Sequence, residues 1–136
     1  MDQLSSTLFI ASSGMRAQGT RLRVISENIA NKDSTADTAG GDPYRRKMIT
    51  FKNVMDRELG VETVNVRKIR EDQSNFKMLF DPGHPAADEN GYVKRPNISG
   101  LIEMMDMREA QRSYEANLSV IDVTKTMLSR TVDMLK

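Results

Sequence analysis

The sequence predicts a mainly α chain in which two long helices, one at each end, pack as a coiled-coil-like hairpin and enclose a small β-rich insert. Two observations carry this. Apolar residues recur at alternating steps of three and four through both ends of the 136-residue chain, the period of a helix lying lengthwise against another helix. The middle changes to turn-forming residues and short alternating runs, the pattern of strands. The expected divisions are 1–31 for the N-terminal helix, 32–98 for a connector and insert, and 99–136 for the C-terminal helix.

In the first segment the seam runs Leu4, Leu8, Ala11, Met15, Leu22, Ile25 and Ile29, with Gln18 in the remaining slot. The residues between are poor helix formers. Gly14 and Gly19 each cost about 1 kcal/mol relative to alanine, and Ser5, Ser6, Thr7, Ser12, Ser13 and Thr20 compete locally for backbone hydrogen bonds. A helix over 3–30 is therefore one that packing must create.

The last segment repeats the pattern through Met104, Met107, Gln111, Tyr114, Leu118, Ile121, Lys125, Leu128, Val132 and Leu135, with a second row at Ala116, Val120, Val123, Met127 and Met134. So wide a stripe needs more than one neighbour to cover it. Asn97 and Ser99, after Pro96, are expected caps, and a helix from 99 to 135 is roughly 55 Å long at 1.5 Å per residue. Burial along two seams barely offsets the backbone entropy of ordering them. The terminal segments are accordingly expected to be weakly ordered in a free subunit and to become helical when copies bundle. Gln18 and Lys125 interrupt the seams, either setting register or reaching out to the seam's edge.

Between the helices, Asn31 to Asp42 is small and polar and ends at Pro43, an irregular connector. Strands are expected at Tyr44–Phe51, around Val64 and Val66, and over Phe76–Phe80, and the aromatics Tyr44, Phe51, Phe76, Phe80 and Tyr92 are expected to give the insert its own small core. Asp81-Pro82-Gly83-His84-Pro85 forms a dense turn, and Asn90-Gly91 matches a two-residue hairpin turn that aims Tyr92 and Val93 into the insert.

Composition excludes several chemistries. The chain has no cysteine, which removes thiol catalysis, disulfides and thiolate metal sites, and 20 Lys+Arg against 19 Asp+Glu leave no excess of positive charge for gripping nucleic acid. No apolar run approaches the roughly 20 residues that span a bilayer, and the first fifteen residues contain no Lys or Arg, so no cleavable secretory signal is expected. His84 is the only histidine, near Asp81, Asp88 and Glu89, and a surface turn is favoured over a metal or acid-base site. Asp88-Glu89-Asn90-Gly91 fails as a calcium loop, because the twelfth position is Asn97. Arg45, Arg46 and Lys47 are expected on a solvated strand or in a salt-bridged subunit contact. Asn97-Ile98-Ser99 and Asn117-Leu118-Ser119 match the glycosylation pattern by chance. The ten methionines are adaptable packing groups rather than metal ligands. No catalytic, cofactor-binding or metal site is expected.

Several of these segments together resemble the flagellar basal-body rod family, its proximal-rod type most closely. Asn28-Ile29-Ala30-Asn31 ends the first helix as in that family, followed by a linker and Pro43-Tyr44-Arg45. Asp81-Pro82-Gly83-His84-Pro85, Ala87-Asp88, Asn90-Gly91-Tyr92-Val93 and Pro96-Asn97 look like the proximal-rod type. The last helix carries Glu103-Met104, Ala110, Arg112-Ser113-Tyr114 and Ala116-Asn117 in the family's order. The match covers 4–51 and 81–136, while 52–80 carry no recognised motif. Sister rod proteins place Thr-Pro-Gly-Tyr soon after the Ala-Asn pair; the longer connector here favours the proximal rod.

The resemblance implies a helical, hollow tube that transmits torque from the motor to the distal rod and hook and lines the export channel. It implies location in the periplasm after export through the flagellar type III apparatus. Partners would be copies of itself, other rod proteins and the adaptor at the rod's base, with no nucleic acid, direct membrane insertion or cofactor. A stand-alone helical adaptor docking one partner is the alternative, separated by stoichiometry; a metal-dependent hydrolase around His84 is a distant third.

Overall fold

A computed structural model describes residues 3–136. The chain is mainly α, with two long helices and a small insert of two two-stranded sheets between them. Helix α1 spans Gln3–Ala30 and helix α2 spans Gly100–Met134. Strands β1 (Lys47–Asp56) and β2 (Val61–Glu71) form one sheet, and β3 (Lys77–Phe80) and β4 (Tyr92–Arg95) the other. The chain divides into two compact units: Met1–Leu22, Ile49–Lys68 and Arg108–Lys136 in the first, Arg23–Met48 and Ile69–Met107 in the second.

In the first unit the poor helix formers of α1 have structural reasons. The Ser13 hydroxyl donates to the Ile10 carbonyl at 2.7 Å and accepts the Val64 N–H at 3.2 Å, so a buried serine fastens β2 to the helix. A Cβ on Gly14 would lie 2.8 Å from Asn117 Nδ2, a distance real Cβ atoms do not tolerate. Ala11 and Ala17 are buried as well, and small side chains here let neighbouring elements approach closely. Gly14 beside Asn117 and Arg21 beside Glu109, 3.5 Å apart, set the α1 and α2 segments antiparallel within this unit.

The β1–β2 hairpin is longer than the sequence predicts. Thr63 Oγ1 donates to the Val54 carbonyl at 3.2 Å and Thr50 Oγ1 to that of Lys68, 3.4 Å apart, pairings that run in opposite directions along the two strands. Its turn is built by Asp56, whose carboxylate accepts the Glu58 and Leu59 N–H groups at 3.0 and 3.1 Å, and by Gly60 at φ +67°. That local side-chain bonding favours the turn over continued strand.

In the second unit β3 and β4 pair antiparallel with Lys77 opposite Arg95 and Phe80 opposite Tyr92. Asn90-Gly91 does not make the expected two-residue hairpin turn. The connection between β3 and β4 covers 81–91 and holds two tighter turns: His84 N–H to the Asp81 carbonyl at 3.1 Å, and Gly91 N–H to that of Asp88 at 3.0 Å. The Asp88 carboxylate accepts both the Asn90 and Tyr92 N–H groups at 2.9 Å, which closes the turn through the aspartate.

The expected aromatic core is not found. Phe80, Tyr92 and Phe51 are 61, 42 and 36 % exposed, and the buried residues of the insert are Pro43, Ala86, Val93, Pro96 and Ile98. Phe80 and Tyr92 instead meet edge to face outside, with ring centroids 5.2 Å apart. Gly91 lies beneath them at φ +85°, where an added Cβ would be 3.0 Å from Phe80 Cε2 and 3.1 Å from Pro82 Cγ. A Gly91→Ala chain is expected to lose about 1–3 kcal/mol of stability through left-handed strain and this contact, measured by chemical denaturation. Unchanged stability would show that the turn relaxes freely.

Candidate functional site

The sequence holds no constellation for catalysis, and the structure's most organised polar cluster is a clamp. Glu103, in the first turns of α2, is 0 % exposed, and burying a carboxylate demands a partner. Arg46 supplies it. Its Nε donates to Glu103 Oε1, and its two terminal nitrogens each stand 3.5 Å from a carboxylate oxygen, one of Asp72 and one of Asp106. Burial alone would lower the Arg46 pKa, but the hydrogen bond and charge of Glu103, with Asp72 and Asp106, raise it above its ordinary value.

Asn28, 1 % exposed near the end of α1, reads the chain on the other side. Its Nδ2 donates to the Lys47 carbonyl at 2.9 Å and to Glu103 Oε2 at 3.4 Å, while its Oδ1 accepts the Lys47 N–H at 3.0 Å and the Tyr44 hydroxyl at 3.1 Å. Burial raises the Tyr44 pKa, against the opposing pull of Lys47. Asn97 is not a helix cap, as expected, but a second reader: its Oδ1 accepts the Arg46 N–H at 2.8 Å and its Nδ2 donates to the Asp72 and Ser74 carbonyls at 3.0 and 3.2 Å. Ser99 does take the cap position, its carbonyl accepting the Glu103 N–H at 3.0 Å. The cluster thus ties together the end of α1, the entry to β1, the exit from β2 and the start of α2.

This corrects the reading of the basic cluster. Arg46 is neither a solvated strand residue nor a subunit contact; it is paired inside its own chain. Arg45 donates to the Asp72 and Ser74 carbonyls at 3.0 Å each, with its guanidinium 4.1 Å from the Phe76 ring centre, and Lys47 pairs with Glu27 at 3.2 Å.

Other motif residues also have local duties. Asn31 Nδ2 donates to the Glu27 carbonyl at 2.8 Å and closes the end of α1 beside Ala30. His84 Nδ1 accepts the Ala86 N–H at 3.0 Å, fixing the turn around Pro82 and Pro85. Among the described residues no three His, Cys, Asp or Glu side chains gather as a metal site, and no helix is long and apolar enough to cross a membrane.

Along the helices the structure separates two kinds of seam. On α1, Ala11 and Ile25 are buried and Leu4, Leu8, Met15, Gln18, Leu22 and Ile29 half-buried, with Ser13, Ala17, Val24 and Asn28 as buried positions the apolar pattern misses. Gln18 accepts from Arg21 at 3.5 Å, and Arg21 reaches Glu109. On α2 the line covered within the chain is Glu103, Met107, Ala110, Tyr114, Asn117, Ile121, Thr124 and Leu128. Met107, Tyr114, Ile121 and Leu128 belong to the apolar seam; Met104, Gln111, Leu118, Lys125, Val132 and Leu135 are exposed. Arg112 and Ala116 are exposed too. The signal for the covered line was a 3-4 spacing of small and polar residues that hydropathy alone does not weigh.

Comparison with known proteins bears on both helices. A sequence model described as flagella basal body rod protein matches residues 8–40, and one described as flagellar basal body rod FlgEFG protein C-terminal matches 89–134. The flagellar basal-body rod protein FlgC of Agrobacterium fabrum is 56% identical over 136 residues, covering 100% of this chain and 98% of that protein. That of Aquifex aeolicus is 42% identical over 137 residues and 100% of both chains, and that of Salmonella typhimurium 40% over 127 residues and 92% of both.

Breaking the clamp from one side leaves a buried charge. Glu103→Ala is expected to cost about 3–5 kcal/mol, and Arg46→Met combined with Glu103→Leu distinctly less, by denaturant titration of each chain; equal costs would show the pair is not a unit. Asp72 adds a pH signature. The Ser74 backbone N–H at 2.9 Å, reinforced by the Ser74 side chain and Arg46 against the opposing effect of burial, holds its carboxyl below the ordinary range. A depressed folded pKa stabilises fully above the unfolded value of about 3.9 and is lost as pH falls through it toward the folded one. Between about pH 5 and 3, wild type should therefore lose stability more steeply than Asp72→Asn; parallel curves would contradict the assignment.

Proposed function

The chain belongs to the flagellar basal-body rod protein family, and from that premise we propose that its copies bundle through both helical seams into the helical tube of the proximal rod, transmitting torque to the distal rod and hook and lining the export channel. It is a structural subunit of the flagellar basal body, assembled with other rod proteins, and not an enzyme. On this reading it travels through the flagellar type III export apparatus without a cleavable signal, takes its place in the periplasm and meets the adaptor at the rod's base.

The observation that carries the reading is the face α2 leaves uncovered. Met104, Leu118, Val120, Val123, Met127 and Val132 are between 41 and 60 % exposed, and 129–136 are exposed throughout. An apolar band of this length on a free chain marks an interaction surface. Helices whose partners are sibling subunits need little stability alone, which suits passage through a narrow channel in an unfolded form.

Leu118→Asp and Met104→Asp test it, since both side chains are exposed in the single chain. Each variant should keep its stability within about 0.5 kcal/mol by denaturation yet be missing from isolated basal bodies, with swimming lost. Normal incorporation of both variants would mean that this face is not covered in the rod.

A further inference from the structure

Gly19 lies in the interior of α1, where glycine costs about 1 kcal/mol relative to alanine. Gly14 is required by the close approach of Asn117, but a Cβ on Gly19 would meet nothing within 4 Å. It opens onto a groove of about 390 Å³ lined by Ser12, Met15, Arg16, Gly19 and Tyr114. Space kept open against helix propensity, with no group of the same chain entering it, is space for another molecule.

The outer row of α2 has the matching form. Val120, Val123 and Met127 are 42, 60 and 50 % exposed and stand in a ridge at steps of three and four. The charges match as well. Arg16 and Asp122 are both exposed, and among the described residues neither side chain has an ion pair or hydrogen bond. Arg16 is one turn from Gly19, and Asp122 adjoins Val123.

Resting on the rod-subunit reading, we propose that the Gly19 groove receives the Val120, Val123 and Met127 ridge of a second copy of this chain, with Asp122 of that ridge pairing to Arg16. Groove and ridge are different patches, so the contact is heterologous. Such a contact repeats from copy to copy into an open array instead of closing a pair. The apolar knob supplies the buried area, and the ion pair at its edge sets which way the incoming helix lies.

The chain has no cysteine, so introduced cysteines report the contact without background. Oxidised basal bodies carrying Gly19→Cys with Val123→Cys should yield a ladder of cross-linked dimers and higher multiples, and either single variant none. Arg16→Asp and Asp122→Arg should each lower incorporation into basal bodies roughly tenfold, and the two exchanges combined should restore it, with the circular dichroism of the free subunit unchanged throughout. Basal bodies that contain the double-cysteine chain without a ladder, a cross-link confined to one chain, or a charge exchange without rescue would overturn the groove while leaving the rod reading intact. Wild-type chain absent from basal bodies would overturn the rod reading itself.

Discussion

A single buried carboxylate organises the second unit of this molecule. Glu103 has no exposure to water, and its ionised form is tolerable only because Arg46 and Asn28 meet it from two sides. Those two residues are themselves held by the backbone around Lys47 and by Asn97, so no member can be moved alone. A helix end, a strand entry, a strand exit and a helix start are thereby fixed by one polar network. Networks of this kind specify an arrangement more than they add stability, because their members gain nothing from any other pairing.

The two faces of α2 follow a complementary logic. Toward its own chain the helix presents Ala110, Asn117 and Thr124 among larger residues, groups small or polar enough to permit close approach. Away from it stand methionine, valine and leucine. A monomer designed to remain alone would reverse that order, placing the larger apolar groups inside. The subunit instead spends its best hydrophobic material on surfaces only neighbours can cover, and accepts modest cohesion of its own.

Both helices were legible in the sequence because a 3.6-residue period sustained over about thirty positions is hard to counterfeit. Which line of α2 is covered within the chain was legible only in part. Hydropathy finds Met107, Tyr114, Ile121 and Leu128, but it passes over Glu103 and Asn117, whose burial depends on partners far along the chain. The same blindness hid the clamp, since Asn28, Arg46 and Glu103 are ordinary residues until folding brings them together. In the insert, aromatic residues were expected to fill a core, yet a pair of two-stranded sheets has too little thickness to enclose rings, and proline, alanine, valine and isoleucine are buried instead. The long β1–β2 hairpin was missed because charged residues interrupt its alternation and its turn depends on the side chain of Asp56.

The hydroxyls on the helices carry a mechanical meaning. Thr124, Thr126 and Thr131 each donate to the carbonyl four residues earlier, at 2.7, 3.0 and 2.9 Å, all within the last third of α2. A carbonyl that serves two donors tilts outward, and a helix so decorated curves more readily than one stiffened by alanine or leucine. Elastic compliance is thus concentrated toward one end of the longest element, where a rotating shaft can flex without any of its joints having to part.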